Sequence, residues 1–349
     1  MTEFRNQTFD AERSLYGLRG AQVENCVFSG PADGESPLKE CSSVTVSGCT
    51  FDLRYPFWHV TTGNISDCVL SEKCRAPLWY DNNITMSSCR ILGVKAFREC
   101  NLVRIDSTEA VSEEFGWKCR NITLKNVNLT SVYPFFECSN MDADNLTMTG
   151  KYSFQYTNNI TISNSHLTTK DAFWHSNNVT VTDSVIEGEY LAWYSNNLRL
   201  VRCEIRGTQP FCYATNLTLE NCTLVNCDLA FEKSRVNADI LGNVTSIKNP
   251  LRGKITVDSV DEIIMDDPEA KGKIIIRGSG AVKTKTPAYP PDADASEARN
   301  IPPMLCVYMG PPAWLREKCE AEQTADDKEE NRENTETAPD NTTAGADKI

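Results

Sequence analysis

Short runs of alternating aliphatic and polar residues recur along the chain, each opened by an asparagine. Asn83-Ile-Thr-Met, Asn121-Ile-Thr-Leu, Asn159-Ile-Thr-Ile, Asn178-Val-Thr-Val, Asn197-Leu-Arg-Leu and Asn216-Leu-Thr-Leu fall into one series. Asn101 and Asn140 fill its gaps, giving successive steps of 18, 20, 19, 19, 19, 19 and 19. Val44-Thr-Val and Asn64-Ile-Ser extend the series toward the N-terminus, and Val236 and Ile255 continue it weakly. Alternation of period two is the pattern of a strand with one face inside and one outside. A period near 19, held over about eleven copies, is the pattern of a solenoid, in which each repeat buries its apolar face only against its neighbours.

Every repeat has the same internal order. A second polar column, Asn126, Asn145, Asn164, Asp183 and Asn221, stands five positions after the first. Asparagine and aspartate tolerate the left-handed backbone, so two such columns mark two turns per coil. A second strand carries Leu129, Leu167, Ile186, Ile205 and Leu224, and an aromatic-rich third strand closes the coil. The pattern predicts an all-β fold: a single-stranded, right-handed parallel β-helix of about eleven coils over residues 1–280, three short strands to a coil. Residues 1–40 look irregular and are expected to cap or enter the first coil. From residue 281 to 349 the chain turns acidic and holds half of its 16 prolines, so this tail is expected to be mostly disordered. Within it, Met304-Leu-Cys-Val-Tyr-Met and Ala313-Trp-Leu are apolar enough to dock on the solenoid end or on a partner.

The third strand carries the candidate chemistry. One of its columns reads Trp58, Trp79, Phe97, Trp117, Phe136, Gln155, Trp174, Trp193 and Cys212; the next reads His59, Tyr80, Arg98, Lys118, Glu137, Tyr156, His175, Tyr194 and Tyr213. Arginine, lysine and glutamate do not fit a dry interior, so the second column is expected outside and, by strand parity, the tryptophan column inside. The same parity places Tyr133 with Phe135, Tyr152 with Phe154, Asp171 with Phe173, and Tyr190 with Ala192 outside. An exposed aromatic surface of that size marks a binding site, and rings beside carboxylates and hydroxyls suit a sugar. Tyr80, Arg98, Lys118, Tyr152, Tyr156, Tyr194 and Tyr213 are therefore the candidate ligand-binding residues. Glu137, His175 and Asp171 are the candidate acid–base groups, with His59 a more remote one. Asp171 and His175 share a face of a strand but lie about 13 Å apart on it, too far to act on one bond together.

Composition removes several other readings. The net charge is −13, and no basic cluster offers the phosphate contacts that nucleic acid requires. No export signal and no apolar stretch long enough to span a bilayer is visible, which points to a cytoplasmic protein with no membrane partner. The 15 cysteines follow the repeat, as in Cys100, Cys119 and Cys138, one period apart each time. They read as stacked, reduced thiols in the interior, not as a disulfide framework. No CxxC pair suggests a metal, and no motif implies a cofactor. The ten N-x-Ser/Thr sequons between Asn64 and Asn243 arise where turn asparagines meet strand threonines, so they read as turn ladders in place of glycosylation sites.

The 19-residue grammar resembles the pectate-lyase-like β-helix superfamily. The strings ERSLYGLRG, DGESPLKE, LRYPFWH, APLWYD, GKYSFQY, KDAFWH, GEYLAWYS, GTQPFCY and KNPL resemble one uncharacterised bacterial β-helix family, a domain of unknown function, over about residues 1–280. The resemblance implies the fold and a bacterial origin, and supplies no catalytic residues. The clustered aspartate and GHG-type strings of polygalacturonase-like enzymes are absent, and acidic residues are scattered where calcium-dependent pectate lyases cluster them. Two functions remain: a carbohydrate-binding or carbohydrate-processing protein working through the third sheet, or a non-catalytic scaffold that binds a protein through that sheet or the tail.

Overall fold

The computed structural model describes residues 2–30, 35–277 and 283–285. The apolar segments at Met304 and Ala313, and nearly all of the acidic tail, lie outside the described residues. Strands Asn82–Ser87, Asn101–Asp106, Arg120–Val132, Ser139–Lys151, Asn158–Ser163, Asn177–Thr182 and Asn196–Val201 pair in parallel, each with its equivalent in the next coil. They form the first side of a parallel β-solenoid. Shorter strands such as His166–Lys170, Val185–Glu187 and Glu204–Arg206 pair likewise and form the second side. No helix occurs among the described residues.

The solenoid has about 14 turns, more than the eleven expected. Thr2–Arg5 and Ala21–Glu24 already pair in register, so the N-terminal segment builds coils and not a separate cap. At the other end Arg252–Ile264 pairs with Lys273–Ile276 and with Lys283–Lys285. These outer coils lack the asparagine that marks the central ones.

Stacking in register turns each position into a column. Val46, Ile65, Met86, Ile105, Leu124, Ala143, Ile162, Val181 and Leu200 stand one above another inside the first side, and all are buried. Burying a large aliphatic side chain contributes about 1.5–3 kcal/mol, so a column of this length is a main source of stability. The residue before each of them faces outward, as Thr85, Arg104, Thr123, Asp142 and Thr161 do.

The turns are ladders, as expected. Asn140 donates to Asn121 at 3.2 Å, Asn159 to Asn140 at 3.1 Å, Asn178 to Asn159 at 3.1 Å and Asn197 to Asn178 at 2.7 Å. All five have positive φ, which asparagine tolerates better than most residues. The cysteines line the inside of the coil corners. The Cys49 N–H donates to the Cys68 thiol at 3.4 Å and the Cys100 N–H to the Cys119 thiol at 3.3 Å. Elsewhere a hydroxyl does the same work: Cys89 N–H donates to Thr108 Oγ1 at 3.3 Å, and Ser165 N–H to Ser184 Oγ at 3.0 Å. Small buried acceptors thus satisfy backbone N–H groups that the coil corner would otherwise strand.

Candidate functional site

The third side is not a sheet in most coils. Apart from the pair Phe57–Trp58 and Leu78–Trp79, it runs through turns in which every second residue has a left-handed backbone: Tyr152, Phe154 and Tyr156; Asp171, Phe173 and His175; Tyr190, Ala192 and Tyr194. Each such non-glycine residue costs about 1–3 kcal/mol. Hydrogen bonds between coils offset that cost. Phe154 N–H donates to Pro134 O at 3.0 Å, Phe173 N–H to Ser153 O at 2.9 Å, and Tyr156 N–H to Trp174 O at 2.9 Å.

Strand parity therefore fails here. Phe135, Phe154 and Phe173, expected outside, are at most 1% exposed. They form a column through the core, with ring centroids 5.1 and 4.9 Å apart. The first and last left-handed residues of each segment mark its edges, and the middle one points in. The tryptophan column is a second stack, packed apart from the main core where Tyr55, Trp58, Ala76 and Trp79 cluster. Three of its indole N–H groups close the next coil: Trp117 donates to Tyr133 O at 2.7 Å, Trp174 to Tyr190 O at 2.7 Å and Trp193 to Gln209 O at 2.9 Å. Gln155 stands in that column because its amide makes the same bond, to Asp171 O at 3.2 Å.

One register differs from the expected one. Arg98, not Phe97, pairs with Trp79 and with Trp117. Arg98 is 4% exposed, its guanidinium 5.9 Å from the Trp79 ring and 5.3 Å from the Trp117 ring. It bonds Glu114 at 3.4 Å, and Lys95 approaches the same carboxylate at 3.6 Å. A cation between two indoles, with its charge paired, belongs to the packing of the stack, so Arg98 leaves the set of surface candidates.

The remaining candidates fall into two outer columns. Tyr156, His175, Tyr194 and Tyr213 stack face to face, with centroids 5.0, 5.1 and 4.9 Å apart and planes within 12°. Their faces are covered by one another, so His175, Tyr194 and Tyr213 present ring edges, while Tyr156, expected outside, is buried at 8% exposure. Burial pushes the His175 imidazole below its usual range, which keeps it neutral. Tyr80 belongs to an earlier part of the side and stacks on His59 at 5.0 Å, while Lys118 and Glu137 are half-buried on the coils between the two stacks. The other column holds Tyr133 and Tyr152, stacked at 4.6 Å, then Asp171 and Tyr190. Asp171 is 6% exposed. Burial raises its carboxyl, while Lys170 draws it down and Glu189 pushes it up. Asp171 and His175 stand in different columns, and no hydrogen bond among the described residues joins them. Among those residues, no three His, Cys, Asp or Glu side chains are placed to hold a metal ion.

A feature missed in the sequence lies on the first side. Leu102, not Asn101, occupies the asparagine ladder, because Asn101 pairs with Asn82 and with Arg120. Leu102 is 38% exposed and has φ 56°, a conformation that costs a leucine about 1–2 kcal/mol. The ladder is rerouted around it: Asn121 donates to Asn101 at 2.8 Å, and Arg104 reaches Asn83 at 3.4 Å. Beside it opens a cleft of about 260 Å³, lined by Leu102, Arg104, Asn121, Thr123, Asn140 and Asp142 among others.

Residues 2–277 match the family described as a protein of unknown function (DUF3737). The chain belongs to that family. No curated protein matches it by sequence. Similar solved structures include PfbA, a surface adhesin of Streptococcus pneumoniae, at 9% identity over 75% of this chain and 82% of that one, with a TM-score of 0.36. The A-module of the mannuronan C-5 epimerase AlgE4 of Azotobacter vinelandii aligns at 11% identity over 83% of this chain and 87% of that one, with a TM-score of 0.26.

Proposed function

We propose that the chain is a binding solenoid that holds an extended oligosaccharide along its third side. The in-register column Tyr156–His175–Tyr194–Tyr213, with its near-constant step of 4.9 to 5.1 Å, carries this reading. An extended β-linked glycan advances by about one such step per sugar, so each ring edge meets an equivalent position on successive sugars. Phenol and imidazole edges donate and accept hydrogen bonds, which is how sugar hydroxyls are held. Lys118, Glu137 and Tyr80 continue the polar edge toward the N-terminal coils, and Tyr152 flanks it from the neighbouring column.

The test is a glycan array followed by titration calorimetry on the retained oligosaccharide. Tyr194→Phe, which keeps the stack and removes one hydroxyl, is expected to weaken binding about fivefold to tenfold, the worth of one hydrogen bond. Tyr194→Ala weakens it further. An array with no retained glycan, or unchanged affinity in both variants, refutes the reading.

A further inference from the structure

We infer that the first-side cleft is a separate site for a short linear zwitterion, chemically a tripeptide with free ends. The position of Leu102 is the first ground. In the ladder column its neighbours in register are Asn83 and Asn121, followed by Asn140, Asn159, Asn178 and Asn197, which bond one to the next. A leucine there forfeits two ladder bonds, adopts a backbone that favours asparagine, and exposes an apolar side chain. The left-handed backbone is common to this turn in the neighbouring coils, so the leucine side chain is what sets the position apart. Here the leucine gives the cleft one apolar wall.

The second ground is charge. Arg104, Thr123 and Asp142 stand in one outward column on three successive coils. At about 4.8 Å per coil the two charged positions lie about 10 Å apart. Three residues of extended peptide span about 10 Å, so once the exposed Arg104 side chain exchanges its 3.4 Å bond to Asn83 for a carboxylate, that carboxylate and an ammonium on Asp142 fit the ends of one tripeptide. A neutral sugar would need neither charge.

Polar groups between the ends complete the match. Asn121 and Asn140 each use one amide N–H and one carbonyl lone pair on their neighbours. An asparagine side chain has two of each, so Asn121 and Asn140 keep a donor and an acceptor for peptide groups, and Thr123 adds a hydroxyl. The ligand lies across the strands, so side chains and not backbone pairing must recognise it.

The site is on a different side from the aromatic column, and the variants that test it do not overlap with those above. Titration calorimetry at low ionic strength, where exposed charges are least screened, compares trialanine with N-acetyl-trialanine amide. Trialanine is expected to bind saturably, and the end-blocked peptide at least tenfold more weakly. Arg104→Gln and Asp142→Asn should each lose about tenfold. Leu102→Asn, which restores the ladder and removes the apolar wall, should lose binding while its circular dichroism and melting temperature are retained or raised. Absence of trialanine binding, equal binding of the blocked peptide, or binding that survives Arg104→Gln and Asp142→Asn overturns the proposal. A neutral trisaccharide bound in the cleft and lost in Leu102→Asn, with no peptide binding, replaces it.

Discussion

Replacing Phe154 by alanine separates the observed third side from a simple strand. Phe154 is fully buried, and its ring lies between those of Phe135 at 5.1 Å and Phe173 at 4.9 Å. Losing the buried ring costs about 2–3 kcal/mol in transfer from water. The two ring contacts add about 0.5–1.5 kcal/mol each. The sum, about 3–6 kcal/mol, overlaps the range of about 3–5 kcal/mol for phenylalanine truncation in protein cores. Were Phe154 on the surface, as strand parity would place it, the cost would fall within about 0.5 kcal/mol. Urea unfolding followed by far-ultraviolet circular dichroism measures the difference. Hydrogen exchange localises it, because the Phe154 and Phe173 N–H groups bond the coils on which this ring packs and should exchange faster. Tyr152→Ala, which removes a half-buried ring stacked on Tyr133 alone, serves as the control at about 1 kcal/mol. A Phe154→Ala cost below about 1 kcal/mol, or unchanged exchange at Phe173, refutes the inward column.

Asp81 is 1% exposed; its Oδ1 accepts from Val60 N–H at 2.7 Å and its Oδ2 has no hydrogen-bond partner. Burial raises this carboxyl well above its ordinary range, so the folded chain keeps a proton that the unfolded chain releases above about pH 4. The stabilisation from the neutral acid is complete below that pH and is lost as pH rises. Asp81→Asn should therefore be more stable than the parent near pH 8, by about 1–3 kcal/mol, and equal to it near pH 4 in melting experiments. His175 has the opposite sign: burial depresses its folded pKa, so stability falls as pH drops below about 6.5. His175→Phe, which keeps the ring stack, should flatten that part of the pH–stability curve. The thirteen described cysteines are free and buried, and burial pushes Cys74, Cys212 and Cys227 up to about 12. A thiol reagent should leave all thirteen unlabelled in the native protein and reach them in concentrated guanidinium; peptide mapping reads the result.

The sequence shows most plainly what repeats in the side chains. A 19-residue step in asparagine, aliphatic and cysteine positions is visible because each column needs the same chemistry in every coil. The sequons resolve into Asn121–Asn197 ladders for the same reason. The third side is hidden because left-handed phenylalanine, tyrosine and alanine leave no compositional mark, unlike glycine or asparagine. Only the structure shows that Phe154 turns inward between Tyr152 and Tyr156. Arg98 is misplaced when its coil is aligned on Phe97, although the step from Cys100 to Cys119 already puts Arg98 beneath Trp117. Leu102 is masked for a related reason: Asn101, its neighbour in sequence, supplies the asparagine the pattern asks for.

Strict register also makes the coil an interchangeable unit. Asn158 and Asn177 are equivalent positions, so joining residue 158 directly to residue 178 would excise one complete turn and leave every corner geometry intact. Phe154 would then meet Ala192, and Tyr156 would stack on Tyr194. Molecules of this kind can lengthen or shorten in whole turns of about 4.8 Å without redesigning a single joint, so the reach of any surface along the axis is set by how many turns the gene encodes.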